Sequence, residues 1–230
     1  MKYKTTKKLF YNQYLYKLSA YNELAHIFRV DFNRNNWNYC KKTLHDYLNR
    51  YHAGEELIRK VYNNVHVPID TLDLLDANAI FEFIKDKRDQ YLLRVDRHRL
   101  SFYTNNEEFL ESFSDLIENV EVSKPDPAYI DFLKSNRNTI VVTEPSDYEY
   151  KVTFGWNTPT DHLGQFLDNH SAKTKVGPKT RYNIDKRLGV YNNYIYVKDE
   201  KILLLLQMIV GTSITRIDRL VYSGDIDKYE

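Results

Sequence analysis

Two stretches of the chain carry one hydrophobic spacing. Phe109, Leu110, Phe113, Leu116 and Ile117 fall at i, i+1, i+4, i+7 and i+8, and Ile202, Leu203, Leu206, Ile209 and Val210 repeat that pattern. It is the apolar face of an amphipathic helix. Each stretch follows a short strand pattern and a polar turn: Phe102-Tyr103-Thr104 then Asn105 to Glu108, and Ile195-Tyr196-Val197 then Lys198 to Lys201. Each is followed by an alternating strand, Val120-Glu121-Val122 in one case and Ile214 to Val221 in the other, with Gly211 at an expected helix C-cap. Further upstream, Tyr14-Leu15-Tyr16-Lys17-Leu18 returns as Tyr148-Glu149-Tyr150-Lys151-Val152. Period-2 alternation puts the tyrosines of each on one strand face and the lysine on the other.

These recurrences predict an α+β chain with an internal duplication: a first half over 1–124, a linker over 125–147 and a second half over 148–230. In the second half, Thr160 or Asp161 is expected to cap a helix reaching about Ala172, with Leu163, Phe166 and Leu167 inward. Thr174 to Ile184 reads as a strand, followed by a turn at Gly189 and Asn192-Asn193. The order β-α-β-β-α-β resembles ferredoxin-like folds. In the first half, Trp37 to Tyr51 reads as a helix with Cys40, Leu44, Tyr47, Leu48 and Tyr51 inward. Tyr91–Val95 and Leu100–Thr104 read as a hairpin across Asp96-Arg97-His98-Arg99. A helical insertion is expected near 53–88, as Glu55 to Val61 and Thr71 to Lys87, the latter with Leu72, Leu75, Ala79 and Phe83 inward. The linker holds Pro125, Pro127 and Pro145, a short helix from Ala128 to Leu133 and an apolar run from Thr139 to Thr143.

Composition narrows the function classes. Thirty-three basic and 32 acidic residues leave no global field, so a basic binding site must be a local patch. The single Cys40 cannot form an internal disulfide and fits a reducing compartment. The most apolar run, Ile202–Val210, spans about 14 Å as a helix, far short of a bilayer core, so no membrane partner is expected. A cytoplasmic location is expected. The 20 tyrosines, with many Asn, Lys and Ile, make the chain resemble small proteins of AT-rich phages and other viruses, which would place it in a host cytoplasm.

One constellation resembles the restriction-endonuclease-like PD…(D/E)xK motif: Pro125-Asp126 with Glu149-Tyr150-Lys151. The resemblance implies Asp126 and Glu149 on a divalent metal and Lys151 at the attacked phosphate. The competing reading makes Tyr-x-Tyr-Lys a structural strand, because the first half keeps Lys17 but has Leu15 where Glu149 stands. No glycine-rich phosphate loop and no paired cysteines occur, and the seven histidines are scattered, so no cofactor or metal is expected. Carboxylates Asp70, Asp73 and Asp76 suit a helix N-terminus, and Cys40 suits a buried inert thiol. The function expected is non-enzymatic binding of single-stranded nucleic acid through basic and aromatic segments. Its candidate residues are Arg94, Arg97, Arg99 and Tyr103 in the first half and Lys175, Lys179, Arg181 and Tyr182 in the second. The alternative is a structural or protein-interaction component, binding a protein partner or a second copy of itself.

Overall fold

A computed structural model describes residues 2–29, 37–60 and 65–229. The chain is α+β and divides into two compact units. Unit 1 is Met1–Thr6 with Gln13–Asp126, and unit 2 is Lys7–Asn12 with Pro127–Glu230.

Unit 1 is built on a five-stranded sheet of β1 (Lys2–Thr6), β2 (Tyr16–Tyr21), β5 (Leu92–Asp96), β6 (Arg99–Thr104) and β7 (Glu121–Pro125). Its order is β1-β7-β2-β6-β5, with β1 parallel to β7 and every other pair antiparallel. Three helices accompany it: α1 (Trp37–His52), α2 (Thr71–Ile84) and α3 (Glu107–Leu116). The hairpin expected across Asp96–Arg99 is present, closed by the Asp96↔Arg99 pair, with Arg97 at φ 53 in the turn. The side chain of Asn106 accepts from Phe109 N and starts α3, whose Phe109, Leu110 and Phe113 are buried. Phe102 of β6 packs among Phe113, Phe109 and Tyr91.

Unit 2 repeats the plan with β8 (Thr139–Val142), β9 (Tyr150–Phe154), β10 (Thr174–Val176), β11 (Tyr194–Val197) and β12 (Ile214–Tyr222). Its order is β10-β11-β9-β12-β8, again with one parallel pair, β8 with β12. Numbered along the chain within each five-stranded sheet, both run first-fifth-second-fourth-third. Its helices are α4 (Ile130–Ser135), α5 (Thr160–Asn169), α6 (Pro178–Asp185) and α7 (Glu200–Val210). The core joins Val152, Phe154, Ile195 and Val197 of the sheet to Leu163 and Phe166 of α5 and Ile202 and Leu206 of α7. The Asp199 side chain accepts from Ile202 N, and Gly211 ends α7 at φ 46, a region a side chain disfavours.

Six expectations are corrected. Thr174 to Ile184 is not one strand: β10 stops at Val176 and Pro178 opens α6, because proline fixes a helical φ and lacks a donor the first turn would not use. In place of a helix over Glu55 to Val61, Ile58–Lys60 forms β3, antiparallel to β4 (His66–Pro68); Val61 lies outside the described residues. The stretch 125–147 is more than a linker, since α4 and β8 lie in it and β8 is an edge of the second sheet. In α2 the buried side is Leu74, Ala77, Ile80, Phe81 and Ile84, while Leu72 and Leu75 are exposed. That helix is apolar on most sides, so periodicity alone selected the wrong stripe. Neither Thr160 nor Asp161 caps α5; its N-cap is Pro159, without a side-chain bond. In α1, Cys40 and Leu44 are buried as expected but Tyr51 is exposed. Burial pushes the Cys40 thiol up to about 12, in keeping with an inert cysteine.

The two cap-initiated helices differ on their outer sides. Counted from the N-caps, Leu204, Leu205 and Met208 of α7 stand where α3 has Glu111, Ser112 and Asp115. Leu204 and Met208 are exposed. Replacing both by the residues α3 uses, Leu204→Glu with Met208→Asp, is expected to shift stability by no more than about 0.5 kcal/mol, as for other surface changes. Thermal unfolding of the double variant checks this; a loss several times larger would mean that these side chains are packed in the native protein.

Candidate functional site

Because Val152, Phe154, Ile195 and Val197 face α5 and α7, alternation sends Lys151, Thr153, Tyr194 and Tyr196 to the opposite face of the unit 2 sheet. Lys175 joins them from β10, directly across from Tyr196. Tyr148, just before β9, reaches the same place, its ring 6.2 Å from that of Tyr196. Tyr194 meets Tyr196 edge-on at 5.5 Å, and the Lys151 Nζ lies over the Tyr194 ring at 3.7 Å. Such a cation–π contact attracts the ammonium to the ring face. Burial, then the neighbouring Tyr194, pushes the Tyr196 hydroxyl up, so it stays a neutral donor across the physiological range.

Beside this cluster the face deepens into an open cleft of about 610 Å³, lined by Lys7, Lys151, Lys175, Tyr148 and Tyr196, with Glu144 and Asp147 on the loop between β8 and β9. Lys7 is drawn in because the segment after β1 runs beside β8: Val141 N donates to Lys7 C=O, and Lys7 Nζ donates to Thr143 Oγ1 at 3.1 Å. On β12 next door, Arg216 pairs with Asp218 at 2.6 Å, and Asp218 is 1% exposed. Burial, followed by the nearby Arg216 cation, pushes the Lys8 ammonium down. Asp218 is Lys151's partner across the β9–β12 pair. The cleft therefore offers cations for phosphate oxygens, aromatic faces for planar rings, and rim carboxylates that accept hydrogen bonds.

The sequence-predicted residues divide among several places. Lys175 lies in the cleft. Lys179, Arg181 and Tyr182 do not: they are on α6, which packs against α5 on the other side of the sheet. Arg181 is held by Asp168 and Asp185, whereas Lys179 and Tyr182 are exposed. In unit 1, Arg97 and Arg99 sit at the β5–β6 turn beside Tyr21 and His98, with Arg99 paired to Glu121. Arg94 lies exposed on β5, its Cα opposite Ser101 of β6. Tyr103 is buried, packed against Tyr14 with Lys17 above it, and presents no face for a ligand. Asp126 belongs to unit 1 while Glu149 and Lys151 belong to unit 2. Among the described residues no group of three His, Cys, Asp or Glu side chains could hold a metal ion. The residues missed from sequence are Lys7, Tyr148 and Asp218; Tyr194 and Tyr196 carried a signal, the i, i+2 aromatic spacing opposite two core positions. Among the described residues no helix is long and apolar enough to cross a membrane.

Compared with protein families, curated proteins and solved structures, the chain matches none.

Proposed function

We propose that unit 2 binds single-stranded nucleic acid on the sheet face opposite α5 and α7, and that the chain is a tandem duplication of ferredoxin-like units. The observation that carries the binding reading is the convergence of Tyr148, Tyr194 and Tyr196 with Lys151 and Lys175 on one face of a β-α-β-β-α-β sheet. Aromatic faces on such a sheet stack unpaired bases, and neighbouring lysines neutralise the phosphates between them.

The duplication reading rests on register. Tyr16↔Thr104, Lys17↔Tyr103 and Leu18↔Phe102 in unit 1 correspond to Tyr150↔Val197, Lys151↔Tyr196 and Val152↔Ile195 in unit 2. These are the residues that recur in the sequence. The Tyr14–Tyr103 rings, 6.4 Å apart and tilted 42°, correspond to Tyr148–Tyr196 at 6.2 Å and 40°. The same alignment explains why binding is assigned to unit 2. Where unit 2 has Tyr194, Lys175 and Arg216, unit 1 has Ser101, Leu92 and Glu121. Ser101 is buried and hydrogen-bonds Ser19, and Glu121 is paired with Lys4 and Arg99.

The test is an anisotropy isotherm of the full-length protein on labelled oligothymidylate and oligouridylate at two salt concentrations. Affinity is expected to fall with salt, each lysine–phosphate contact contributing roughly −0.7 to the log–log slope for a single strand. Absence of salt-sensitive binding to either oligomer sinks the proposal.

A further inference from the structure

Trp156 lies one residue past Gly155, at the end of β9, and is 74% exposed. Its ring is stacked on that of Tyr191, with centroids 4.1 Å apart and planes 14° from parallel. We propose that this pair is a second stacking platform, on which a nucleobase of the strand bound to unit 2 lies; the proposal rests on the nucleic-acid reading above.

The platform is rigidly presented. Gly155 N donates to Ser213 C=O, Ser213 Oγ donates to Asn157 C=O, and Thr158 Oγ1 donates to Gly155 C=O. Gly155 is required there, since a Cβ would come 2.9 Å from Thr215 Cγ2 and 3.2 Å from Ser213 O. On the other side Asn192 N donates to Phe154 C=O, and the Asn193 amide donates to Tyr191 C=O while accepting from Thr180 Oγ1. Both rings thus stand on backbone anchored to β9 and β11. Ring order is already established in the free protein, so a flat ligand stacks with little further loss of side-chain freedom. Offset stacking needs a parallel, accessible π-face, and every base supplies the matching one.

The position suits an extended strand. Tyr196 and Tyr194 occupy β11, and Tyr191 and Trp156 lie beyond the Tyr194↔Thr153 pair that closes the β9–β11 ladder. Aromatic residues therefore occur along β11 and again just past the end of the β9–β11 ladder. Unit 1 ends its matching strands with another aromatic pair, Tyr21–His98 at 5.8 Å, with Tyr21 62% exposed. There the rings are tilted by 47° and offer no parallel stack.

Fluorescence reads the platform directly. The only other tryptophan, Trp37, lies in unit 1 against Phe81 and Arg88, so Trp37→Phe leaves Trp156 as sole reporter and keeps an aromatic ring in place. The full-length Trp37→Phe protein is titrated with labelled oligothymidylate and oligouridylate, following anisotropy and Trp156 emission together. Binding accompanied by strong quenching, with Trp156→Ala weakening binding by roughly 5- to 150-fold, is the expected result. Binding that leaves the emission unchanged overturns the platform and keeps the cleft. Absence of binding in both oligomers overturns the platform together with the reading on which it rests. Circular dichroism of Trp156→Ala guards against unfolding; should that variant unfold, Trp156→Phe, which keeps a smaller stacking face, is expected to lose part of the affinity, and an unchanged affinity overturns the platform.

Discussion

Phe102→Ala is expected to destabilise unit 1 by about 3–5 kcal/mol, the upper range for removing a fully buried aromatic ring. Phe102 is 0% exposed on the second strand from the sheet edge, its Cα opposite Leu18 on β2 and Leu93 on β5. Its ring lies 4.8 Å from Phe113, 5.4 Å from Tyr91 and 6.2 Å from Phe109. The cavity left by alanine cannot easily collapse. Phe113 and Phe109 are fixed to α3, whose start is set by the Asn106 cap, and Tyr91 is tethered by its hydroxyl donating to Ile84 C=O. Substitution by leucine keeps most of the volume and is expected to cost only about 1–1.5 kcal/mol. Denaturant unfolding followed by circular dichroism measures both. An alanine cost below that of leucine would show that these rings do not form the packed centre of the unit. The corresponding position of unit 2 is Ile195, also 0% exposed, where alanine is expected to cost about 2–5 kcal/mol.

The elements most legible in the sequence were those whose local signals agreed. The strand–cap–helix segments ending in α3 and α7 combined a polar cap residue, an apolar stripe of fixed spacing and a preceding alternating strand, and each of these forces the same local structure. The failures occurred where one signal acted alone. Lys175 and Lys179 continue an alternation that reads as strand, but Pro178 between them sets a helical turn. Leu72 and Leu75 have the right spacing for a buried stripe, yet α2 has apolar residues on most sides and tertiary packing chose Leu74, Ala77 and Ile80. The candidate site was less legible for a different reason. Lys7 arrives through hydrogen bonding beside β8, more than a hundred residues away in the chain, and Lys175 and Tyr196 meet only because β10 pairs with β11. Lys151 was visible, first as part of a nuclease-like triplet and then as an echo of Lys17. In both units that lysine lies across from the tyrosine of the neighbouring strand, Tyr103 or Tyr196. What the sequence could not supply is that burial hides the first tyrosine while the second borders a cleft.

That difference leads to the largest effect expected on binding, from Lys151→Glu with Tyr196→Ala. Losing the Tyr196 ring removes one stacking face, which costs about 1–3 kcal/mol per base, or roughly 5- to 150-fold in Kd. Tyr196 is half-buried and its removal also frees Tyr148 and Tyr194, whose rings pack against it. Lys151→Glu acts differently. It removes a phosphate partner and places a carboxylate beside Asp218, its neighbour on β12, so it should weaken binding at low salt most strongly and flatten the log–log salt slope by roughly 0.7. The two variants are therefore separable: one lowers affinity by a similar factor at every salt concentration, and the other changes the slope. The matched control is Lys17→Glu in unit 1, at the equivalent strand position beside the buried Tyr103, which is expected to leave affinity within about twofold, a difference of roughly 0.4 kcal/mol. Equal losses from Lys17→Glu and Lys151→Glu would remove the assignment of binding to unit 2.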